Sequence, residues 1–223
     1  MRKLVAGIDE AGRGPVLGPL VLAGVLIEEE KTEDLVRIGV KDSKLLTPKR
    51  RVDLSRIIEG LALKLLQVEI SPEQIDNRIK RGISLNRLEA EKIASLINRL
   101  CPDKVYIDCP DTNPDRFAQW LRNHVKPKRI EILAMHHADE NIPVVSAASI
   151  MAKVRRDQRI RELKEKLGEI GSGYTSDGKT RQYIAHILRE NDSSDNMPNF
   201  VRKTWKTIKN IRSSINSSND DST

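Results

Sequence analysis

Cysteine is nearly absent from this 223-residue chain: two occur, Cys101 and Cys109, with no C-x-x-C pair. That excludes a disulfide framework or a cysteine-built zinc site as the organising device, and it fits a reducing compartment. Histidine is also sparse. His124, His136, His137 and His186 show no H-x-x-x-H spacing. The adjacent pair, read as strand, would point to opposite faces, so a shared metal is not expected. Internal repeats are lacking, as is any apolar run long enough for a bilayer. Arg2 and Lys3 precede an apolar stretch in the manner of a signal peptide, but Asp9, Glu10 and Arg13 interrupt it. The later run from Val16 to Ile27 is too short to span. A cytoplasmic protein without a membrane partner is expected.

What the chain does have is charge. It carries 39 Lys+Arg against 32 Asp+Glu, a formal +7. Two readings stay open: an ordinary solvated surface, or a polyanionic partner whose condensed counterions are released on binding. The length allows one substantial core, or a core with a small appendage.

Hydrophobic patterning predicts strands over 4–8, 20–27, 65–70, 104–108 and 129–137, interleaved with helices over 47–59, 85–100 and 112–125. Thr47 and Asn113 stand at N-cap positions with proline following each, and Pro102 closes the helix before it. "ADENIPVVSAASIMAKVRRDQRIRELKEKLG" reads as a loop feeding a long helix. A Gly/Ser loop and helices near 181–190 and 201–213 follow. Alternating strands and helices predict an α/β fold: a mixed five-stranded sheet flanked by helices, with a C-terminal helical extension. The divisions expected are a core over 1–168, an extension over 169–213 and a disordered polar tail over 214–223.

Three of these strands end on acids. "GIDE" supplies Asp9 and Glu10, "YIDC" supplies Asp108, and "HHADE" supplies Asp139 and Glu140. Singly, each reads as a solvated strand terminus. Together at one sheet edge, where reactive groups of α/β folds gather, they would form a set of hard oxygen ligands suited to Mg²⁺ or Mn²⁺. Two such ions could serve phosphodiester hydrolysis and would relieve the repulsion between the acids. The loop "GIDEAGRGPVLGP" fails the dinucleotide fingerprint, because Leu17 stands where G-x-G-x-x-G from Gly12 needs glycine. It also fails the P-loop pattern, since Arg13 and Gly14 follow Gly12. A plain turn is the remaining ordinary reading.

Two basic stretches accompany the acids. "GVKDSKLLTPKRR" holds Lys41, Ser43, Lys44, Lys49, Arg50 and Arg51, and "SAASIMAKVRR" holds Ser146, Ser149, Lys153, Arg155 and Arg156. Either these residues contact backbone phosphates or they are charged helix faces. In "GSGYTSD", Tyr174 is the one large side chain on a Gly/Ser loop, placed either to stack on a base or sugar or to fold back on the core.

"GIDEAGRGPVLGPLVLAG", "KDSK", "YIDC", "ADENIPVVSAASIMAK" and "GSGYTSD", in this order, closely resemble type 2 ribonuclease H, especially its archaeal form. The resemblance runs from about Leu4 to Arg212. It implies an RNase H-like fold and hydrolysis of RNA in RNA·DNA hybrids. It also implies cleavage 5′ of single ribonucleotides embedded in duplex DNA, leaving 3′-hydroxyl and 5′-phosphate ends. Such an activity removes misincorporated ribonucleotides and RNA primers. By the resemblance, Asp9, Glu10, Asp108 and Asp139 are the catalytic and metal-binding acids, with two Mg²⁺ or Mn²⁺ ions. Gly12, Arg13 and Gly14 would read the ribose, Tyr174 the RNA–DNA junction, and Ser43, Lys44 and Lys153 the phosphates. A monomer is expected, and the sequence leaves recruitment by a sliding-clamp partner open. "SGYTSDG" departs from the family's "SGYPSDP" at Thr175 and Gly178, which should loosen the tyrosine loop. Two rivals stay open beside this: a nucleic-acid-binding module without catalysis, and a resolvase- or integrase-like relative.

Overall fold

A computed structural model describes residues 2–40, 46–127, 129–191 and 196–220, the last five by backbone alone. In chain order the strands are β1 (Leu4–Ala11), β2 (Leu20–Glu28), β3 (Lys64–Ile70), β4 (Lys104–Asp108) and β5 (Glu131–Met135). The helices are α1 (Thr32–Ile38), α2 (Pro48–Leu61), α3 (Pro72–Asn77), α4 (Leu85–Leu100), α5 (Pro114–His124), α6 (Ala138–Asn141), α7 (Pro143–Leu167), α8 (Gly178–Glu190) and α9 (Lys206–Asp220). Thr47, Ser84 and Asn113 cap α2, α4 and α5 through their side chains, each accepting from a backbone N–H of the first turn.

The sheet order is β3-β2-β1-β4-β5. β1 runs antiparallel to β2 and parallel to β4, and β4 runs parallel to β5, so the sheet is mixed as expected. Every residue of β2 is buried, as suits an interior strand covered on both faces. The chain divides into two compact units. The first comprises 1–11, 21–69 and 83–155; its core joins Val21, Ala23, Val25 and Ile27 of β2 to Leu54 and Ile58 of α2 and to Val144, Val145, Ala148 and Met151 of α7.

α7 approaches β1 unusually closely. A Cβ on Gly7 would lie 2.2 Å from the Val144 carbonyl oxygen, so only glycine fits. The small residues Ser146, Ala147, Ala148 and Ser149, all buried, let the first turns of the helix pack tightly within this unit.

The second unit comprises 12–20, 70–82 and 156–223, around Val16, Leu17, Ile170, Ile184, Ile187, Val201 and Ile208. The cut expected at 168/169 is therefore replaced by an interleaved division, for two reasons. Leu17 bridges Val201, and Val16 and Leu17 both donate to the Gly173 carbonyl. Asp76 accepts from the backbone N–H groups of Lys203 and Thr204 and from the Thr204 hydroxyl at 2.6 Å. Such pairings are non-local and carry no periodic signature.

Other differences are local. α1 and α3 are additional helices, each too short for a full apolar stripe, though α3 carries a capping box between Ser71 and Gln74. The fifth strand ends at Met135, so His136 and His137 lie beyond the sheet, and the loop after them begins with the helical turn α6. The tail expected to be disordered is helix as far as Asp220: Ile208, Ile211 and Ile215 lie at helical spacing against the second unit's core.

Gly7→Ala should cost about 3 kcal/mol, because the new methyl meets backbone on α7 that cannot rotate away. Urea unfolding, read as a fall in midpoint at unchanged m-value, checks this.

Candidate active site

Strand register builds the acidic cluster. Ile8 of β1 pairs with Ile107 of β4, so the next residues, Asp9 and Asp108, stand level at the carboxyl ends of adjacent parallel strands. Asp108 in turn pairs with Met135 at the end of β5. Three residues later the chain enters α6, with His137 in the left-handed conformation (φ 56°) at its start and Asp139 in its first turn. The Ala138 N–H donates to Asp108 Oδ1 at 2.9 Å and ties this turn to β4.

The result is a set of carboxylate oxygens from Asp9, Asp108 and Asp139 lying within 4.8 Å of one another. Asp9 and Asp139 are 4% and 3% exposed, so water screens little of the repulsion between them. Glu10 is half-buried and outside this set: alternation along β1 turns its Cβ to the other face. Its N–H instead donates to Asp9 Oδ1 at 2.7 Å.

Burial is the largest influence on Asp9 and pushes its carboxyl up to about 7, with Asp108 adding to the rise. Ser149, Lys153 and the Glu10 N–H act the other way. The Ser149 hydroxyl, on the buried face of α7, bonds Asp9 and accepts from Lys153 Nζ at 2.5 Å. Ser149 and Lys153 are thus directed at the acids, one helical turn apart. From sequence alone they stand in a stretch read either as phosphate contacts or as a charged helix face. The signal for the inward role was the small-residue run around Ser149, which marks a buried helix face. Two more of that stretch's cations are engaged internally: Arg155 bonds Glu69 at 2.7 Å, and Arg156 is buried.

The donor set fits a hard divalent cation. All three ligands are carboxylate oxygens, and an added positive charge would offset the burial and the Asp108 charge that raise Asp9.

The glycine loop and the tyrosine loop belong to the second unit and meet there. Gly12 has φ +84°, and a Cβ on it would stand 2.9 Å from the Pro19 carbonyl oxygen. Gly14 is exposed, with Tyr174 Cε1 at 3.8 Å from the place of its Cβ. Gly12 is therefore a glycine for the fold, whereas Gly14 is a glycine for open surface. Tyr174 is 38% exposed rather than folded into the core, and the Arg156 guanidinium sits 4.7 Å from its ring centre. Arg13 is half-buried. Ser43 and Lys44, with Lys41, lie outside the described residues.

The tyrosine loop is better secured than its missing prolines imply. Asp177 accepts from Ser172 N–H at 2.6 Å and from Lys179 N–H at 3.0 Å, and these bonds hold its carboxyl below the usual range. The Thr180 hydroxyl accepts from Gly173 N–H and donates to the Ile170 carbonyl. Gly178 opens α8 as its first residue, directly after Asp177 at φ −86°, ψ 121°. That is the position and the preceding backbone that proline favours.

Three outcomes follow from this geometry. Gly178→Pro should stabilise by about 0.5–1 kcal/mol, seen as a rise in Tm. Gly12→Ala should cost about 1–3 kcal/mol by the same measurement, while Gly14→Ala should leave Tm nearly unchanged. The sign for Asp9 is that of a raised acid. Its contribution to stability is full below about pH 4 and is lost as pH rises through about 7. In EDTA, Asp9→Asn should therefore gain Tm over wild type as pH climbs from 4 to 8, and Mg²⁺ should raise the wild-type Tm at pH 8.

Comparison with known proteins agrees with this architecture. The Ribonuclease HII family model matches residues 6–208. Ribonuclease HII of Methanosarcina barkeri is 43% identical over 219 residues, covering 95% of this chain and 96% of the relative. The ribonuclease H2 crystal structure from Pyrococcus horikoshii OT3 superposes with TM-score 0.86 at 41% identity, covering 96% of this chain and 99% of that one. The structure of a PCNA:RNase HII complex from Archaeoglobus fulgidus gives 0.83 at 41% identity, covering 93% and 96%. A binding module without catalysis, and a resolvase- or integrase-like relative, are thereby set aside. With strand-end acids gathered beside a small-residue helix, and with likeness along nearly its whole length, the chain belongs to the ribonuclease HII family, hydrolases that degrade RNA paired with DNA.

Proposed function

We propose that this ribonuclease H also incises duplex DNA on the 5′ side of a single embedded ribonucleotide, leaving 3′-hydroxyl and 5′-phosphate ends, and so removes misincorporated ribonucleotides and RNA primers. The observation that carries the reading is the convergence of Asp9, Asp108 and Asp139 within 4.8 Å at the carboxyl edge of parallel strands. These three would hold Mg²⁺ or Mn²⁺, with Glu10 completing the acidic set from the neighbouring position on β1. When bound, two such ions would supply an activated water and neutralise the leaving oxygen. The protein's own part is to aim the acids and to offset part of the cost of burying Asp9: Ser149 and the Glu10 N–H hold Asp9, and the Ala138 N–H holds Asp108. Lys153 offsets their charge and, when the acids carry cations, would also serve a phosphate.

Gly12, Arg13 and Gly14 would read the ribose. A surface without Cβ at Gly14 lets peptide groups approach a 2′-hydroxyl within hydrogen-bond reach, and that hydroxyl alone separates RNA from DNA at the point of contact. Tyr174, 3.8 Å from the place of the Gly14 Cβ, would press on the neighbouring deoxyribose and mark an RNA-to-DNA junction. Ser43 and Lys44 would contact phosphates. The protein would act as a cytoplasmic monomer. Recruitment by a clamp of the PCNA type is the partner reading drawn from the Archaeoglobus complex. Among the described residues no helix is long and apolar enough to cross a membrane.

Incubating a duplex that carries one ribonucleotide with enzyme, with Mg²⁺ or with EDTA, tests the reading. Cutting 5′ of the ribonucleotide only with the metal is expected, and equal cutting of all-DNA duplex would overturn ribose reading. Asp9→Asn and Asp108→Asn should each lower kcat about a hundredfold or more while binding of hybrid persists. Tyr174→Ala should impair the single-ribonucleotide substrate more than a continuous hybrid, measured as the ratio of kcat/KM values.

A further inference from the structure

The second unit contains an arginine used in a way that neither the family motifs nor the mechanism above accounts for. Arg202 is fully buried. Its guanidinium donates through Nη2 to the Gly12 carbonyl at 2.5 Å and through Nη1 to the Arg13 carbonyl at 2.8 Å. Its Nε donates to the Gly18 carbonyl at 3.1 Å. Three residues on, Trp205 Nε1 donates to the Gly14 carbonyl at 3.1 Å, and the Arg202 guanidinium stands 5.0 Å from the Trp205 ring centre. Every carbonyl of the Gly12–Arg13–Gly14 run is thus gripped by one pair of side chains more than 180 positions away in sequence.

Peptide planarity turns that grip into a directional device. In a trans peptide the carbonyl of one residue and the N–H of the next point in opposite directions. Holding the Gly12 carbonyl against Arg202 therefore turns the Arg13 N–H away from it, and holding the Arg13 carbonyl does the same for the Gly14 N–H. The third grip, on Gly14, is followed by Pro15, which has no N–H to direct. Its effect is to stop rotation at the end of the run. Glycine on both sides of Arg13 gives this segment wide conformational freedom, so without an external hold its peptide planes would reorient easily. A buried charge is costly to place, and an arginine fork that satisfies three carbonyls at once is a specific solution.

We infer that Arg202 and Trp205 are positioning residues for ribose recognition: they grip the carbonyls of Gly12, Arg13 and Gly14 from one side so that the Arg13 and Gly14 N–H groups are presented together on the other. This rests on the proposed ribose-reading role of that loop. Two aligned donors suit the 2′-oxygen as acceptor, and their pre-alignment removes a reorganisation cost from the reactive complex. The pair acts through the loop and touches no reacting atom.

The test compares Arg202→Lys, Trp205→Phe and Gly14→Ala with wild type. A lysine reaches one carbonyl where arginine reaches three, and phenylalanine keeps the ring but removes the Nε1 donor. Two quantities are measured: kcat and KM on duplex with one ribonucleotide in Mg²⁺, and hydrogen exchange of the Arg13 and Gly14 amides without substrate. Trp205→Phe should keep Tm within a few degrees, lower kcat about tenfold at nearly constant KM, and speed exchange at Gly14. Arg202→Lys should do the same more strongly; if it does not fold, Trp205→Phe carries the test. Wild-type kcat and unchanged exchange in Trp205→Phe, alongside an impaired Gly14→Ala, would overturn the positioning role while sparing ribose reading. Wild-type cleavage by Gly14→Ala would overturn ribose reading itself, and the inference with it.

Discussion

Repulsion among Asp9, Asp108 and Asp139 is the constraint on which the rest of the first unit depends. Three carboxyl groups within 4.8 Å, two of them nearly without solvent, are poorly screened from one another and call for compensation. The fold supplies part of it through the Glu10 and Ala138 N–H groups, the Ser149 hydroxyl and the Lys153 ammonium. It leaves Asp9 raised to about 7, a deficit that a divalent cation would remove. Repulsion among the acids and the fit of the cluster to a divalent cation have the same electrostatic origin.

That constraint explains the otherwise odd composition of α7. Its first turns carry Ser146, Ala147, Ala148 and Ser149, and β1 carries Gly7 opposite them. A bulkier helix face could not bring Ser149 within reach of Asp9. Beside it, β1 pairs between β2 and β4 in a register that sets Asp9 beside Asp108. Packing and chemistry are not separable here, because the glycine and the small side chains serve both.

In the second unit, the residues proposed to read the substrate lie on loops rather than strands, and loops need external holds. The Gly12–Gly14 run is gripped by Arg202 and Trp205, and the tyrosine loop by Asp177 and Thr180. The stiffness that proline would have supplied at Gly178 is met in part by hydrogen bonds to Asp177.

All five strands and the longer helices were legible in the sequence, because burial imposes periodicity on the residues that form them. The gathering of Asp9, Asp108 and Asp139 was legible too, since a carboxylate directly after an apolar strand is conspicuous, whereas Glu10 lies outside that set. Tertiary structure alone decided three things. It separated Gly12, which the backbone requires, from Gly14, which the fold would let carry a methyl. It turned Ser149 inward to Asp9. It drew residues 12–20 and 70–82 into one unit with the C-terminal segment through Asp76 and Arg202. Each of these depends on pairings between residues far apart in the chain. Amino-acid spacing records local geometry, whereas such contacts exist only once the sheet and helices have brought their ends together.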